Sequence, residues 1–140
     1  MKRVISQIFI HCTGFEREEH EDEYNMFEWW NLVGQQKYHY LICKDGEIYG
    51  GARLERPKNT VRGFDSHSIH VCLYGDYNFT FKQGLSLHTV LYELKSKYPN
   101  ATVDPHRMFA PNETCPNFKD KFLFENGGID GYQVTKKERS

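Results

Sequence analysis

The sequence predicts an α/β fold: a single domain with a mixed central β-sheet flanked by helices. Its 140 residues match the usual size of one domain. Short apolar, β-branched segments alternate along the chain with segments of helical periodicity, which is the pattern of α/β proteins. Charged residues at 26% and aromatic residues at 15% are typical of a globular chain. We expect the domain to cover residues 1–132, and the polar residues 133–140 to form a flexible tail.

The first half of the chain predicts a strand, a helix and a hairpin. Residues 4–10 form an apolar, β-branched run that predicts a buried strand. Residues 21–32 have the apolar spacing of a helix, and Gly34 is placed to end it. Residues 38–49 contain an Asp-Gly pair between two apolar runs, which predicts a β-hairpin.

The second half predicts a loop, two further strands and a second helix. Residues 53–66 are polar and predict a loop, and the apolar residues 68–74 that follow predict a strand. A second helix is predicted next; Gly84 weakens its start and Pro99 ends it. Its apolar stripe is Leu87, Val90, Leu91, Leu94 and Tyr98. A short strand near residues 102–103 precedes a loop over residues 107–118.

Composition excludes several classes of protein. The formal net charge of −1 argues against a protein that binds nucleic acid, and no apolar run is long enough to span a membrane. The N-terminal apolar run is interrupted by Ser6 and Gln7 and has no cleavage site, so we expect a strand and synthesis in the cytoplasm. There, the four Cys would be thiols or metal ligands rather than disulfides. We expect a monomer.

Three side chains form a candidate metal site. His11 ends the first strand, His106 follows the strand near residue 103, and Cys115 lies in the proline-containing loop. Two imidazoles, one thiolate and an open fourth position form a catalytic zinc set, whereas structural sites use four ligands. The alternative is that the two imidazoles are buried and hydrogen-bonded and that Cys115 is a small core residue.

Four sequence motifs occur in an order that resembles a known family. The motifs are Ile8-Phe9-Ile10-His11-Cys12-Thr13, Lys37-Tyr38-His39-Tyr40-Leu41-Ile42 with Lys44-Asp45-Gly46, His67-Ser68-Ile69 with Val71-Cys72-Leu73, and His106-Arg107 with Ala110-Pro111 and Cys115-Pro116. Together they resemble the zinc-dependent N-acetylmuramoyl-L-alanine amidases of type 2, which include small phage endolysins and peptidoglycan recognition proteins. The resemblance covers roughly residues 3–124.

The resemblance implies a function and a set of site residues. His11, His106 and Cys115 correspond to the family's zinc ligands, and Tyr38 to the tyrosine that assists catalysis beside the metal-bound water. The implied substrate is peptidoglycan, cleaved at the amide between the lactyl group of N-acetylmuramic acid and the first L-Ala. Zinc suits this reaction because it polarises the carbonyl and brings the pKa of bound water to about 7.

The sequence departs from the family's pattern at two places. The catalytic phage members carry Lys two residues before the Cys ligand, where this chain has Glu113, or Thr114 if the loop is one residue longer. A carboxylate cannot stabilise an oxyanion, but it can act as general base on the zinc-bound water. Thr60 stands where phage members often place His. The candidate polar residues of the substrate-binding groove are Thr60, Arg62, Asp65, His67 and Thr114.

The leading functional hypothesis is a phage or prophage endolysin that acts on the cell wall after release from the cytoplasm. A non-catalytic peptidoglycan-binding protein on the same fold is the alternative, and Glu113 is the residue that keeps it open. A partner-binding role added to the amidase fold is a third reading. Cys12, Cys43 and Cys72 are interpreted as core residues, and His70 is assigned no function.

Overall fold

The computed structural model describes residues 3–14, 23–58, 60, 65–75 and 79–105. Its strands are β1 (Gln7–Cys12), β2 (Tyr40–Ile42), β3 (Ile48–Gly50), β4 (Ser68–Leu73) and β5 (Thr102–Pro105). Its α-helices are α1 (Glu23–Trp29), α2 (Gln35–Lys37) and α3 (Phe81–Lys97). Within these ranges, no helix has the length and apolarity that crossing a membrane requires.

The five strands form one mixed sheet in the order β3-β2-β4-β1-β5. β1 runs parallel to β4 and β5, β2 runs parallel to β4, and β3 pairs antiparallel with β2. This arrangement confirms the predicted fold class. It also brings β1 and β4, which are far apart in sequence, side by side at the centre of the sheet.

Side chains alternate across the sheet and give it two unlike faces. We call the first the aliphatic face; it is made by Ile8, Ile10, Ile69, Val71, Leu73, Ile42 and Val103 with Leu87, Val90, Leu91 and Leu94 of α3. The opposite side we call the histidine face; it carries the buried polar side chains of His11, His39, Ser68, His70 and Asp104. Part of the histidine face is covered by Met26 and Trp30 of the α1 region, which pack on Leu41 and Cys72.

Helix α3 starts with a capping box that sequence analysis did not anticipate. The Thr80 hydroxyl accepts from the Gln83 backbone N–H at 3.1 Å, and the Gln83 amide oxygen accepts from the Thr80 N–H at 2.9 Å. The amide nitrogen of buried Gln83 also donates to the carbonyls of Ile42 and Tyr74. These hydrogen bonds fix the start of the helix at Phe81, and Gly84 lies inside the helix.

The prediction that Gly34 ends the first helix is wrong. The backbone continues through a π-helical turn, Trp30–Gly34, into α2, and Gly34 keeps helical dihedrals with φ −59°. A Cβ at Gly34 would lie 2.7 Å from Trp30 Cε3 and 2.9 Å from Trp29 Cζ3. The glycine is therefore required by close packing against two indoles, and the chain leaves the helix only at Tyr38.

The predicted hairpin is confirmed. Gly46 has φ +89° in the turn, and the Asp45 carboxylate accepts from the Glu47 N–H at 2.9 Å. Cys43 and Glu47 close the turn through a backbone hydrogen bond of 2.8 Å. Tyr38 lies between the end of α2 and the start of β2, so these two elements together determine its position.

Candidate active site

His11 and Tyr38 lie next to each other on the histidine face. His11 occupies the penultimate position of β1 and is only 1% exposed. The ring of Tyr38, at the junction of α2 and β2, has its centroid 5.4 Å from that of His11. Tyr38 also forms a side-chain hydrogen bond with buried Cys72, the Cα partner of His11. Two residues of the predicted site are thus brought together, one from β1 and one from the junction of α2 and β2.

A chain of hydrogen bonds runs from His11 through His70 to Asp65. His11 Nε2 lies 2.8 Å from His70 Nδ1, and His70 Nε2 lies 2.9 Å from Asp65 Oδ1. The Ser68 hydroxyl is 3.1 Å from the same His70 nitrogen. The fully buried His70 ring stacks between the rings of Phe9 and His39, at centroid distances of 5.6 and 5.8 Å. The position and orientation of His70 are therefore tightly determined.

His39 is a neutral imidazole with one defined tautomer. Its Nδ1 accepts from the His70 backbone N–H at 3.0 Å, so Nε2 carries the proton and donates to the Arg56 carbonyl at 2.8 Å. Burial is the main cause that lowers the pKa of His39 to about 3, with His70, Lys58 and Arg3 adding to the effect and the Arg56 carbonyl opposing it. His39 therefore supports the backbone of β4 and stays uncharged near neutral pH.

Thr60 and His67 occupy the segments that bracket Asp65. The Thr60 N–H donates to Asp65 Oδ2 at 3.0 Å, and the Thr60 hydroxyl donates to the Lys37 carbonyl, directly before Tyr38. His67 ends a 3-10 turn, Asp65–His67, and its side chain is exposed. Thr60 thus links the residue before Tyr38 to the Asp65 carboxylate and orients that carboxylate.

Five of the predicted site residues, Arg62, His106, Glu113, Thr114 and Cys115, lie outside the described residues. Among the residues that the structure describes, no group of three His, Cys, Asp or Glu side chains is arranged to hold a metal ion. The described part of β5 ends at Pro105, whose Cα partner on β1 is Ile10. The next residues in the two segments are His11 and His106.

Sequence reasoning passed over His70 and named Asp65 only as a polar groove residue. A clue exists in the alternation along β4, where Ser68, His70 and Cys72 share one face. That alternation shows which residues share a face, but it does not show that β4 lies beside β1. The contact with His11 depends on a parallel pairing between segments almost sixty residues apart.

Three of the four Cys lie among the described residues; all three are buried and none of them forms a disulfide. Burial raises the pKa of Cys43 to about 12 and raises that of Cys72 well above its usual range. Protonated, enclosed thiols of this kind are poor nucleophiles and poor metal ligands. The interpretation of Cys12, Cys43 and Cys72 as core residues is confirmed.

Comparison with known proteins identifies the family. The sequence profile described as N-acetylmuramoyl-L-alanine amidase matches residues 1–118. The endolysin of Enterobacteria phage K11 is 32% identical over 126 residues, covering 81% of each chain. The endolysin of Escherichia phage T7 is 31% identical over 135 residues, covering 87% of each chain.

Solved structures agree with these sequence relationships. The N-acetylmuramoyl-L-alanine amidase LysC from Clostridium intestinale URNW superimposes with a TM-score of 0.60 at 26% identity, over 80% of this chain and 76% of that one. The peptidoglycan recognition protein SA of Apis mellifera shares the fold, with a TM-score of 0.65 at 19% identity, over 83% and 80% of the two chains. The chain therefore belongs to the N-acetylmuramoyl-L-alanine amidase family and is an amidase of the phage endolysin type.

Proposed function

We propose that this amidase hydrolyses the bond between the lactyl group of N-acetylmuramic acid and L-Ala in peptidoglycan, with zinc held by His11, His106 and Cys115. The observation that carries the proposal is the register of β1 with β5. Ile10 and Pro105 are Cα partners, and His11 and His106 are the residues that follow them in sequence. His11 in turn contacts Tyr38.

The donor set fits a catalytic zinc ion. Two imidazoles and a thiolate leave one coordination position for water or substrate. His11 is buried and already hydrogen-bonded through Nε2, as metal-ligating histidines are through the nitrogen that does not bind the metal. When bound, zinc would supply a polarised carbonyl and a water of lowered pKa.

Tyr38 supplies a hydrogen-bond donor beside this site. We propose that its hydroxyl donates to the oxygen on which negative charge develops as the amide carbonyl is attacked. Its placement next to His11 supports that role, since a donor held in place before the reaction needs little reorganisation during it.

We assign the proton transfer that hydrolysis of an amide requires to Glu113. A carboxylate near the attacking water can accept its proton and return it to the leaving amine. Glu113→Gln keeps the size of the side chain and removes the base, so we expect activity to fall by about 10²- to 10⁴-fold with zinc retained. Asn112→Ala is the control in the same loop and should keep activity; an equal loss from both variants would remove Glu113 as the base.

Substrate contacts are proposed for three further polar residues. Arg62, His67 and Thr114 are proposed to contact the glycan or the stem peptide. Thr60 is proposed to act through the loop, since its N–H and hydroxyl are engaged by Asp65 and Lys37. We propose that the protein acts as a monomer on the cell wall, without inserting into membrane or binding nucleic acid.

The decisive experiment is product analysis on purified peptidoglycan. Zinc-loaded protein should release stem peptides with free N-terminal L-Ala, a chelator should stop the release, and added zinc should restore it. Cys115→Ser should lose zinc and activity together, whereas Cys43→Ala, which changes a buried core thiol, should keep both. Binding to peptidoglycan without new amine termini would instead support a non-catalytic binding protein.

A further inference from the structure

We propose that His70 and Asp65 are positioning residues that fix the tautomer and orientation of His11 for metal binding. The proposal deepens the function above and rests on His11 being a zinc ligand. Three observations carry it: the hydrogen-bonded chain from His11 through His70 to Asp65, the enclosure of the His70 ring, and the anchoring of the Asp65 carboxylate.

The proton positions follow from the acceptor at the end of the chain. An ionised carboxylate can only accept, so His70 Nε2, 2.9 Å from Asp65 Oδ1, carries a hydrogen and donates it. A neutral His70 ring then has its lone pair on Nδ1, and His11 Nε2, 2.8 Å away, donates to it. His11 consequently carries its proton on Nε2 and its lone pair on Nδ1, the nitrogen that we assign to the metal.

The His70 ring is held before any metal binds. It is fully buried between Phe9 and His39, nearly parallel to both, with interplanar angles of 9° and 7°. Its backbone N–H is tied to His39 Nδ1 at 3.0 Å. A rotated His70 would place a ring carbon against His11, so the acceptor for His11 is available in one orientation only.

Asp65 is anchored at both oxygens. Oδ1 receives the His70 hydrogen, and Oδ2 receives the Thr60 backbone N–H at 3.0 Å. The carboxylate side chain is 17% exposed, and the adjoining backbone is further held because Arg3 Nη1 donates to the carbonyls of Asp65 and Ser68. Metal-ligating histidines commonly donate to a carboxylate, and loss of such a partner typically costs about 10- to 100-fold in metal affinity. Here the His70 imidazole lies between His11, the proposed ligand, and the Asp65 carboxylate.

The test measures zinc affinity and the His11 tautomer in the same variants. Zinc dissociation constants are obtained by competition with a chromophoric chelator, and long-range ¹H–¹⁵N spectra of the metal-free protein report which ring nitrogen is protonated. His70→Leu should weaken zinc binding by about 10- to 100-fold and leave His11 as a mixture of tautomers. His70→Asn, which keeps an acceptor near the position of Nδ1, should restore most of the affinity.

Two further variants make the result interpretable. Asp65→Ala changes a partly exposed residue and should shift both readouts in the same direction, even if His70→Leu fails to fold. His88→Leu, on α3 beyond the aliphatic face, is the matched histidine control and should change neither readout. Unfolding of each metal-free variant shows whether a loss of affinity reflects a loss of folded protein.

The outcomes separate this inference from the proposed function. Wild-type affinity and an unchanged His11 tautomer in both His70→Leu and Asp65→Ala, with zinc lost in His11→Ala, would overturn the positioning role alone. A His11 ring protonated on Nδ1 in the wild type would also overturn it. Zinc binding that survives His11→Ala would remove His11 from the ligand set and both proposals with it.

Discussion

On the aliphatic face of the sheet, side chains contact one another through non-directional apolar packing, whereas on the histidine face polar side chains are held by directed hydrogen bonds. Of the six buried polar side chains among the described residues, five lie on the histidine face: His11, His39, Ser68, His70 and Asp104. Gln83, the sixth, belongs to the start of α3, where it caps the ends of β2 and β4.

This difference separates stability from chemistry. Apolar contacts tolerate small shifts and contribute in proportion to the area they bury, while hydrogen bonds depend on distance and angle. A catalytic group needs its reacting atom in one place, and the buried polar side chains of the histidine face orient one another through hydrogen bonds. Substitutions on the aliphatic face should therefore change the free energy of unfolding at any pH, and substitutions on the histidine face should change activity or the dependence of stability on pH.

The largest expected effect on stability is from Leu91→Ala on the aliphatic face. Leu91 is fully buried in the middle of α3, so truncation removes apolar contacts and leaves a cavity. We expect the free energy of unfolding to fall by about 2–5 kcal/mol, measured by urea denaturation. Activity per folded molecule should stay close to that of the wild type. A loss of kcat in fully folded Leu91→Ala would show that the two faces are coupled.

Tyr38→Phe is the converse test on the histidine face. The variant keeps the ring against His11 and removes the hydroxyl, so we expect kcat to fall by about 10²- to 10³-fold with little change in KM or zinc content. Tyr49→Phe is the matched control, because that ring stacks on Trp30 and lies outside the proposed catalytic contacts. Equal effects of the two substitutions would remove Tyr38 from the reaction.

Much of the aliphatic face could be predicted because its pattern is local. The spacing of Leu87, Val90, Leu91 and Leu94 predicted α3, and the β-branched run before His11 predicted β1. The end of the first helix was mispredicted because Gly34 is selected by contact with two indoles rather than by its backbone angle. The sequence alone does not show whether a glycine is required by its backbone angle or by close packing against a neighbouring side chain.

The candidate site was less accessible to sequence reasoning. Tyr38 and His11 entered it through resemblance to a family, and their contact is between segments more than twenty residues apart. The link from His11 to His70 and Asp65 requires the strand order β2-β4-β1 and an exact parallel register, which local periodicity does not contain. Predicting hydrogen-bond partners on the histidine face therefore needs the topology first.

The smallest expected effect is the contribution of His39 to the change of folding stability with each unit of pH. The folded-state pKa is lowered to about 3 by burial, against an ordinary value of 6.5, so between these pH values the unfolded chain binds one more proton than the folded chain. Stability from this group is fully present above pH 6.5 and falls as the pH drops, by up to about 1.4 kcal/mol per pH unit.

His39→Asn tests this prediction, because the variant cannot titrate while its amide oxygen can still accept from the His70 N–H. Urea denaturation of metal-free protein from pH 7 to pH 4 should therefore show a shallower loss of stability in His39→Asn than in the wild type, by the slope of one proton. Metal-free conditions are needed because zinc binding is itself linked to pH. Parallel curves for the two proteins would mean that His39 has the same pKa in the folded and unfolded chains, and the stack of His39 on His70 would then need a different electrostatic account.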